Sequence, residues 1–209
     1  MSFLRYDLFE LLDPDFTKRL HKKYTYCEVD YVHLHLKGDY EGEVSHRAAA
    51  LHAMEEILKR QTRYFEQFIN HPLYMDHDFR FDDRIDETKL IGAPYSVERF
   101  FSQPDQLVFE HLNEYGRPTC WSYPNCDYEQ YIYAFCLTPH CPTNPSDEDW
   151  QAVNRELFPN REGLEIYSWN DDWQEFYFSN GKEWWGCFYW TVYDPSTKVF
   201  TIVAASTTD

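Results

Sequence analysis

The feature that most constrains the fold is an aromatic run at residues 183–193, where eleven residues include three Trp, two Tyr and one Phe. A turn containing Pro195 separates it from residues 199–205, which are rich in β-branched and apolar side chains. Two such runs joined by a short turn predict a β-hairpin. Because both alternating faces of each run are apolar, we expect the hairpin to lie inside a sheet that is covered on both sides.

The first half of the chain is dominated by helical patterns. Leucines at helical spacing predict a helix over residues 4–12, and Asp15 is placed to cap a second one that reaches about residue 22. Residues 24–36 alternate as a strand does. The strongest helical pattern covers residues 43–70, where apolar residues recur three or four apart without Gly or Pro. Ser96 is expected to cap a short helix, and residues 105–115 predict another, closed by Gly116.

The second half favours strands. Aromatic residues 128–137 predict a strand, as do residues 164–169 and 173–179, and Asn180-Gly181 is a strong hairpin signal. One helix is expected after Ser146, which with Asp149 approximates a capping box. We therefore predict a single α+β domain over residues 1–209, with helices mainly in the N-terminal half and a mostly antiparallel sheet built from the C-terminal half.

The net charge and the aromatic content restrict the class of macromolecule that is expected to bind this protein. The formal net charge is −17, from 36 acidic and 19 basic residues. Such a surface repels nucleic acid and anionic membranes and attracts a basic protein. Aromatic residues make up 19% of the chain. Tyr and Trp are enriched at recognition surfaces, but the surplus also fits a core built from aromatics.

The apolar runs, the first residues and the cysteines together indicate the compartment in which the protein is expected. No apolar run approaches the length of a membrane span, and the first residues lack a signal-peptide pattern. A soluble cytoplasmic protein is expected, whose six cysteines are reduced thiols. No cofactor is expected, because a chain with seven glycines and no phosphate-binding loop offers no nucleotide site.

Two groups of residues have some of the character of metal ligands. His33 and His35 point to one face of the strand predicted at residues 24–36, but two ligands do not make a site. The cysteines are spaced more widely than in zinc knuckles, so buried free thiols explain them more simply. These residues are Cys120, Cys126, Cys136 and Cys141, with His140 beside the last. No nucleophile elbow or paired-histidine motif is present, so no catalytic residue is assigned.

One segment mixes acids with aromatics in the manner of a recognition surface. Tryptophans ringed by carboxylates resemble the apolar anchors and charged rim of tight interfaces to basic proteins. The alternative is an ordinary turn between two strands. The candidate partner-binding residues of this segment are Trp169, Asp171, Asp172, Trp173 and Glu175. A second acidic patch is predicted at Asp76, Asp78, Asp82 and Asp83.

The C-terminal run of residues 185–194, followed by residues 200–209, resembles the endings of some bacterial immunity proteins. The shared features are the aromatics, the hairpin turn and the Ala-Ser-x-x-Asp ending, over about the last 25 residues. Those small acidic proteins neutralise polymorphic or contact-delivered toxins inside the cell. The resemblance implies a cytoplasmic inhibitor of one cognate toxin, and it implies little about topology because such inhibitors differ in fold.

Three hypotheses about function follow. The leading one is a non-catalytic immunity protein that occludes the active site of a basic toxin, for example a nuclease. The alternative is a metal-dependent hydrolase using His33 and His35 with nearby carboxylates. The third is a scaffold subunit whose aromatic surface drives self-association, which would make the protein a homodimer.

Overall fold

The computed structural model of the chain describes residues 7–25, 27–66, 81–102, 108–112, 118–122, 130–138, 145–183 and 185–207, with the backbone alone for 108–112, 118–122 and 147. The strands are β1 (Phe9–Leu12), β2 (Asp30–Leu36), β3 (Gly92–Pro94), β4 (Val108–Leu112), β5 (Pro118–Ser122), β6 (Glu165–Trp169), β7 (Cys187–Asp194) and β8 (Val199–Ser206). The helices are α1 (Phe16–Lys23), α2 (Glu43–Glu66), α3 (Val97–Phe100), α4 (Tyr131–Cys136), α5 (Asp147–Leu157) and α6 (Glu175–Phe178). Short 3₁₀ turns lie at Glu87–Lys89 and Gly181–Glu183.

A six-stranded antiparallel sheet in the order β1-β2-β8-β7-β6-β3 forms the centre of the fold. Strands β4 and β5 pair separately as a two-stranded sheet. The hairpin predicted from the aromatic run is confirmed as β7 and β8, whose interior residues are buried on both faces. The α+β class is confirmed as well, with the long helix near the N-terminus and most strands in the C-terminal half.

Each face of the sheet is covered by its own layer. Helices α1, α3, α4 and α5 pack on one face in an aromatic core that includes Tyr131, Trp150 and Trp190. Helix α2 and the segment around α6 cover the other face, where Trp169 and Trp173 are buried. Every tryptophan whose side chain the structure describes lies in one of these two cores: Trp150, Trp169, Trp173, Trp185 and Trp190. These five tryptophans therefore account for core volume, as the second interpretation of the composition expects.

Several local predictions hold. Helix α2 begins at Glu43 as expected and continues to Glu66, beyond which residues 67–70 lie outside the described part of the chain. Ser96 accepts a hydrogen bond from the Arg99 backbone N–H and so caps α3. The hairpin turn is closed by Asp194, whose carboxylate accepts hydrogen bonds from the backbone N–H and hydroxyl of Ser196.

Five local predictions are wrong for one physical reason, that tertiary contacts override short patterns. Residues 9–12 form an edge strand, not a helix, because they pair with β2. Residues 108–112 are likewise extended. Within the range 128–137, where a strand is expected, residues 131–136 form the helix α4, whose six residues are all buried and so show no helical period. The strand expected at 173–179 contains α6, and Gly181 begins a 3₁₀ turn in place of a tight hairpin.

The capping box at α5 gives a test of this local assignment. The Ser146 hydroxyl accepts from the Asp149 N–H at 3.2 Å, and the Asp149 carboxylate accepts from the Ser146 N–H at 3.0 Å. Replacing Ser146→Ala is expected to lower the free energy of unfolding by about 1 kcal/mol, because the Asp149 backbone N–H loses its side-chain acceptor. Urea denaturation measures the change. Ser146→Asn keeps a capping acceptor and should remain near the parent; an equal loss in both variants would contradict the cap.

Candidate functional site

Two acidic segments that are distant in sequence lie side by side in the structure. The Asp86 backbone N–H donates to the Trp173 carbonyl at 2.8 Å, and the Gln174 side-chain amide donates to the Asp82 carbonyl at 2.9 Å. The rings of Phe81 and Phe176 also contact each other, with centroids 4.6 Å apart. These contacts join residues 81–86 to residues 173–176. They bring together a group that we call the acidic surface: Asp82, Asp83, Asp171, Asp172 and Glu175.

The acidic surface keeps a net negative charge after its local ion pairs are counted. Arg84 contacts Asp82 at 2.5 Å, and Lys182 lies 3.3 Å from Asp172 and 3.1 Å from Glu175. Five carboxylates and two cations leave a formal charge of −5 + 2 = −3. Hydrogen bonds from Arg84 lower the pKa of Asp82 to about 2, so this carboxylate stays ionised at neutral pH. The remaining two predicted acids, Asp76 and Asp78, lie outside the described residues.

The two tryptophans predicted as partner anchors are core residues, which corrects that part of the prediction. Trp169 is 5% exposed and Trp173 is 1% exposed. The Trp169 indole N–H donates to the Thr191 hydroxyl at 3.0 Å, and the Trp173 indole N–H donates to the Asn170 carbonyl at 2.6 Å. Both side chains pack under the loop that carries Asp171 and Asp172. They support the acidic surface from inside and do not present area to a partner.

An apolar side chain that the sequence did not single out lies beside the acidic surface. Ile91 is 68% exposed. Its backbone N–H donates to the Asn170 side-chain oxygen at 2.8 Å, and its carbonyl accepts from the Asn170 N–H at 3.0 Å. Since Asn170 directly precedes Asp171, these bonds fix Ile91 next to the carboxylates. A lone isoleucine before Gly92 carries no sequence signal for exposure, so sequence reasoning had no means to find it.

A chain of hydrogen bonds runs from exposed Glu165 into the core between the sheet and α2. Tyr40 donates to Glu165 at 2.7 Å, and its hydroxyl lies 3.0 Å from His46 Nε2. His46 Nδ1 lies 2.7 Å from the Thr191 hydroxyl, which also accepts from Trp169. Because Tyr40 donates to a carboxylate, it accepts from His46, and Thr191 in turn donates to His46. His46 and Thr191 are fully buried and both find hydrogen-bond partners in this chain, while Glu165 ends the chain at the surface, so the chain stabilises the fold.

Burial also changes the pKa of His33, one of the two histidines predicted as metal ligands. His33 is 8% exposed and its ring packs edge-on against Phe16 at 5.0 Å. Desolvation lowers the pKa of His33 to about 4. Among the residues that the structure describes, no group of three or more His, Cys, Asp or Glu side chains is arranged to hold a metal ion. His33 and His35 therefore gain no third ligand there, and no observation favours the hydrolase hypothesis.

The cysteine group lies mostly beyond the described side chains. Cys136 is buried in the aromatic core. Cys126, His140 and Cys141 are outside the described residues, and at Cys120 only the backbone is described. Zinc binding by this group accordingly stays an untested alternative. The burial of Cys136 fits the alternative of buried free thiols.

Comparison with protein families, with curated proteins and with solved structures gives no match. The resemblance of the C-terminal run to immunity proteins therefore stays a prediction. No helix in the described parts of the chain combines the length and the apolar character needed to cross a bilayer.

Proposed function

We propose that this protein is a non-catalytic acidic binding protein of the immunity type, which neutralises a basic toxin by covering its active site. One observation carries the proposal. Two acidic segments about 90 residues apart in sequence are held together by hydrogen bonds at 2.8 and 2.9 Å, so that their carboxylates form one surface. A surface held in place by the fold loses less conformational freedom on binding than mobile loops do.

Electrostatics defines the kind of partner. The acidic surface carries a formal charge of −3 within a chain of net charge −17, so it attracts a cationic protein from a distance. Steering of this kind raises association rate constants to about 10⁸–10⁹ M⁻¹s⁻¹ at low salt. A nuclease presents a cationic active site to its anionic substrate. The same site would be occupied by the acidic surface, and the two ligands would compete.

The interface also needs apolar contact, because ion pairs at an exposed rim contribute little affinity. Ile91 supplies exposed apolar area where the buried Trp169 and Trp173 do not. Its backbone is fixed by Asn170, so little freedom is lost when a partner covers it. In this proposal the carboxylates determine the rate of association and the choice of partner, while Ile91 contributes burial.

The partner can be identified by recovering tagged protein from its native cells, and from co-cultured competitor cells, at low and at high salt. A basic protein bound in stoichiometric amount and released as salt rises is the expected result. The purified partner then allows a direct test. The double variant Asp171→Lys/Asp172→Lys should lower the association rate constant by about tenfold or more at low ionic strength and flatten its salt dependence.

A matched control separates local from global charge. Asp7→Lys/Glu10→Lys changes two exposed acids at the opposite edge of the sheet and brings the net charge to the same −17 + 4 = −13. This control should retain nearly all of the association rate. If both double variants behave alike, or if reversal at Asp171 and Asp172 changes nothing, the acidic surface is not the binding site.

A further inference from the structure

The Asn180-Gly181 dipeptide lies where α6 joins the 3₁₀ turn that leads towards β7. Asn180 is exposed, whereas Gly181 is buried. A side chain has no room at Gly181, because a Cβ atom there would meet the Gly186 carbonyl oxygen and would lie 2.6 Å from Ser206 Oγ. The packing at the open end of the β7–β8 hairpin therefore requires a glycine directly after Asn180.

A glycine after an asparagine leaves the side-chain amide open to attack from the main chain, because no Cβ atom shields the glycine nitrogen. Once its proton has passed to hydroxide, the Gly181 nitrogen can bond to Cγ of Asn180. The bond from Cγ to Nδ2 then breaks, and Nδ2 leaves as ammonia. Water opens the resulting succinimide ring at either carbonyl, which gives an aspartate or an isoaspartate. The net reaction consumes one water, releases ammonium and changes the net charge of the chain to −17 − 1 = −18.

Hydrogen bonds to both polar groups of the Asn180–Gly181 peptide keep it from reacting in the folded protein. The Gly181 N–H donates to Ser206 Oγ at 3.0 Å, and the Asn180 carbonyl accepts from the Glu183 N–H at 3.2 Å. The Gly181 carbonyl also accepts from the Gly186 N–H at 2.9 Å. The attacking nitrogen thus keeps its proton in a hydrogen bond, and the peptide plane cannot rotate towards the side chain. These bonds must open locally before the ring can form.

We propose that Asn180 is a deamidation site, which Ser206 holds closed in the folded protein and which reacts when the end of β8 opens. Ser206 is the last residue of β8, and its side chain is half-buried. Hydrogen bonds at the end of a strand break in smaller openings than those that expose the core. The reaction therefore reports local opening at this end of the hairpin and does not require the whole chain to unfold. The site is independent of the function proposed above.

The modification changes the charge beside the acidic surface. Asn180 lies between α6, which carries Glu175, and Lys182, whose Nζ lies 3.1 Å from Glu175 and 3.3 Å from Asp172. An aspartate at position 180 adds a negative charge two residues from this cation. An isoaspartate also lengthens the main chain next to Gly181, where the packing leaves no space. Both products therefore disturb the segment that positions Lys182.

The test follows the reaction by mass spectrometry. Purified protein is incubated at mildly alkaline pH, digested briefly with trypsin and analysed for the peptide of residues 162–182. In the folded parent we expect aspartate and isoaspartate to form at Asn180 much more slowly than in the same chain unfolded in urea. Ser206→Ala should speed the reaction in the folded protein about fivefold or more, because the buried Gly181 N–H loses its acceptor. Ser206→Thr keeps a hydroxyl and should stay close to the parent.

Two further variants separate the local site from general instability. Ile202→Val destabilises the middle of the same strand and should react as the parent does. Asn180→Gln combined with Ser206→Ala should abolish the product, which assigns it to Asn180 and not to Asn170, the other asparagine of that peptide. Equal rates in the folded and the unfolded parent, no acceleration in Ser206→Ala, or equal acceleration in Ile202→Val would each overturn the proposal.

Discussion

Replacing Trp173→Ala is expected to lower the free energy of unfolding by about 3–5 kcal/mol, which is the range for removal of a fully buried tryptophan. Trp173 is 1% exposed and its ring packs edge-on against Tyr189 and Phe178, with centroid distances of 5.2 and 5.6 Å. Its indole N–H also donates to the Asn170 carbonyl at 2.6 Å. The truncation leaves a cavity under the acidic surface and one acceptor without its donor. Urea denaturation followed by far-UV circular dichroism measures the loss.

This substitution separates two roles for the same residue. If Trp173 were a partner anchor, its truncation would weaken binding while the fold kept its stability. For a core residue, the truncation destabilises the fold whether or not a partner is present. Ile91→Ala is the matched control, because Ile91 is 68% exposed and its truncation should change stability by no more than about 0.5 kcal/mol. A stability loss below about 1 kcal/mol in Trp173→Ala would contradict the placement of its ring in the core.

The sequence predicted those parts of the fold whose signals are long or chemically specific. The hairpin of β7 and β8 follows from two runs that are apolar on both faces, and helix α2 from a pattern sustained over more than five turns. The Ser146 and Asp149 capping box has a local chemical cause and was found from its two residues. Such features need no knowledge of the rest of the chain, because the interactions that form them lie within a few residues.

The remaining elements depend on contacts that a local pattern does not contain. The strand β1 is extended because it pairs with β2, and its leucines at helical spacing cover too few turns to prevent that. The helix α4 is buried all round, so its aromatic residues show no polar face from which a period of 3.6 could be recognised. In both cases the deciding partner lies far along the chain or across the core.

In the candidate site, too, the sequence predicts the charge of the residues but not their arrangement in space. The sequence predicts Asp82, Asp83, Asp171 and Asp172 as site residues from their charge, which does not depend on the fold. Their adjacency depends on the bonds from Asp86 and Gln174, which no sequence spacing indicates. The sequence does not distinguish an exposed anchor from a core residue at Trp169 and Trp173, because tryptophan is common both in interfaces and in cores. Burial alone distinguishes these roles, and it is a property of the folded chain.

Acidification is expected to destabilise the fold well before its carboxylates titrate, because two histidines are buried in the neutral form. Burial lowers the pKa of His33 to about 4 and that of His46 to about 3. In the unfolded chain a histidine titrates near 6.5. Between those values the unfolded state binds a proton that the folded state does not. The free energy of unfolding therefore falls as pH decreases, by about 1.4 kcal/mol per pH unit for each histidine.

The stabilisation is complete above about pH 6.5 and is lost progressively as the pH falls toward about 4. Between about pH 7.5 and 4.5 each histidine accounts for about 2.7 kcal/mol, and the two together for about 5 kcal/mol. This is a large part of the 5–15 kcal/mol that stabilises a typical domain. Urea denaturation at a series of pH values measures the slope. Full burial of the His46 ring is what lowers its pKa, and the contact with Thr191 offsets only part of that effect.

His33 allows the cleaner substitution, because its Nε2 has no hydrogen-bond partner among the described residues and its ring packs on Phe16. His33→Leu removes the titrating group and keeps an apolar side chain in contact with α1. We expect this variant to lose about 1.4 kcal/mol less per pH unit than the parent, so that it becomes the more stable protein near pH 4.5. Ile57→Val is the control, since it costs about 1 kcal/mol by truncation but removes no titrating group, and its curve should run parallel to that of the parent. If His33→Leu also runs parallel to the parent, His33 is not held neutral by burial, and the acid sensitivity of the fold must come from His46 and the carboxylates.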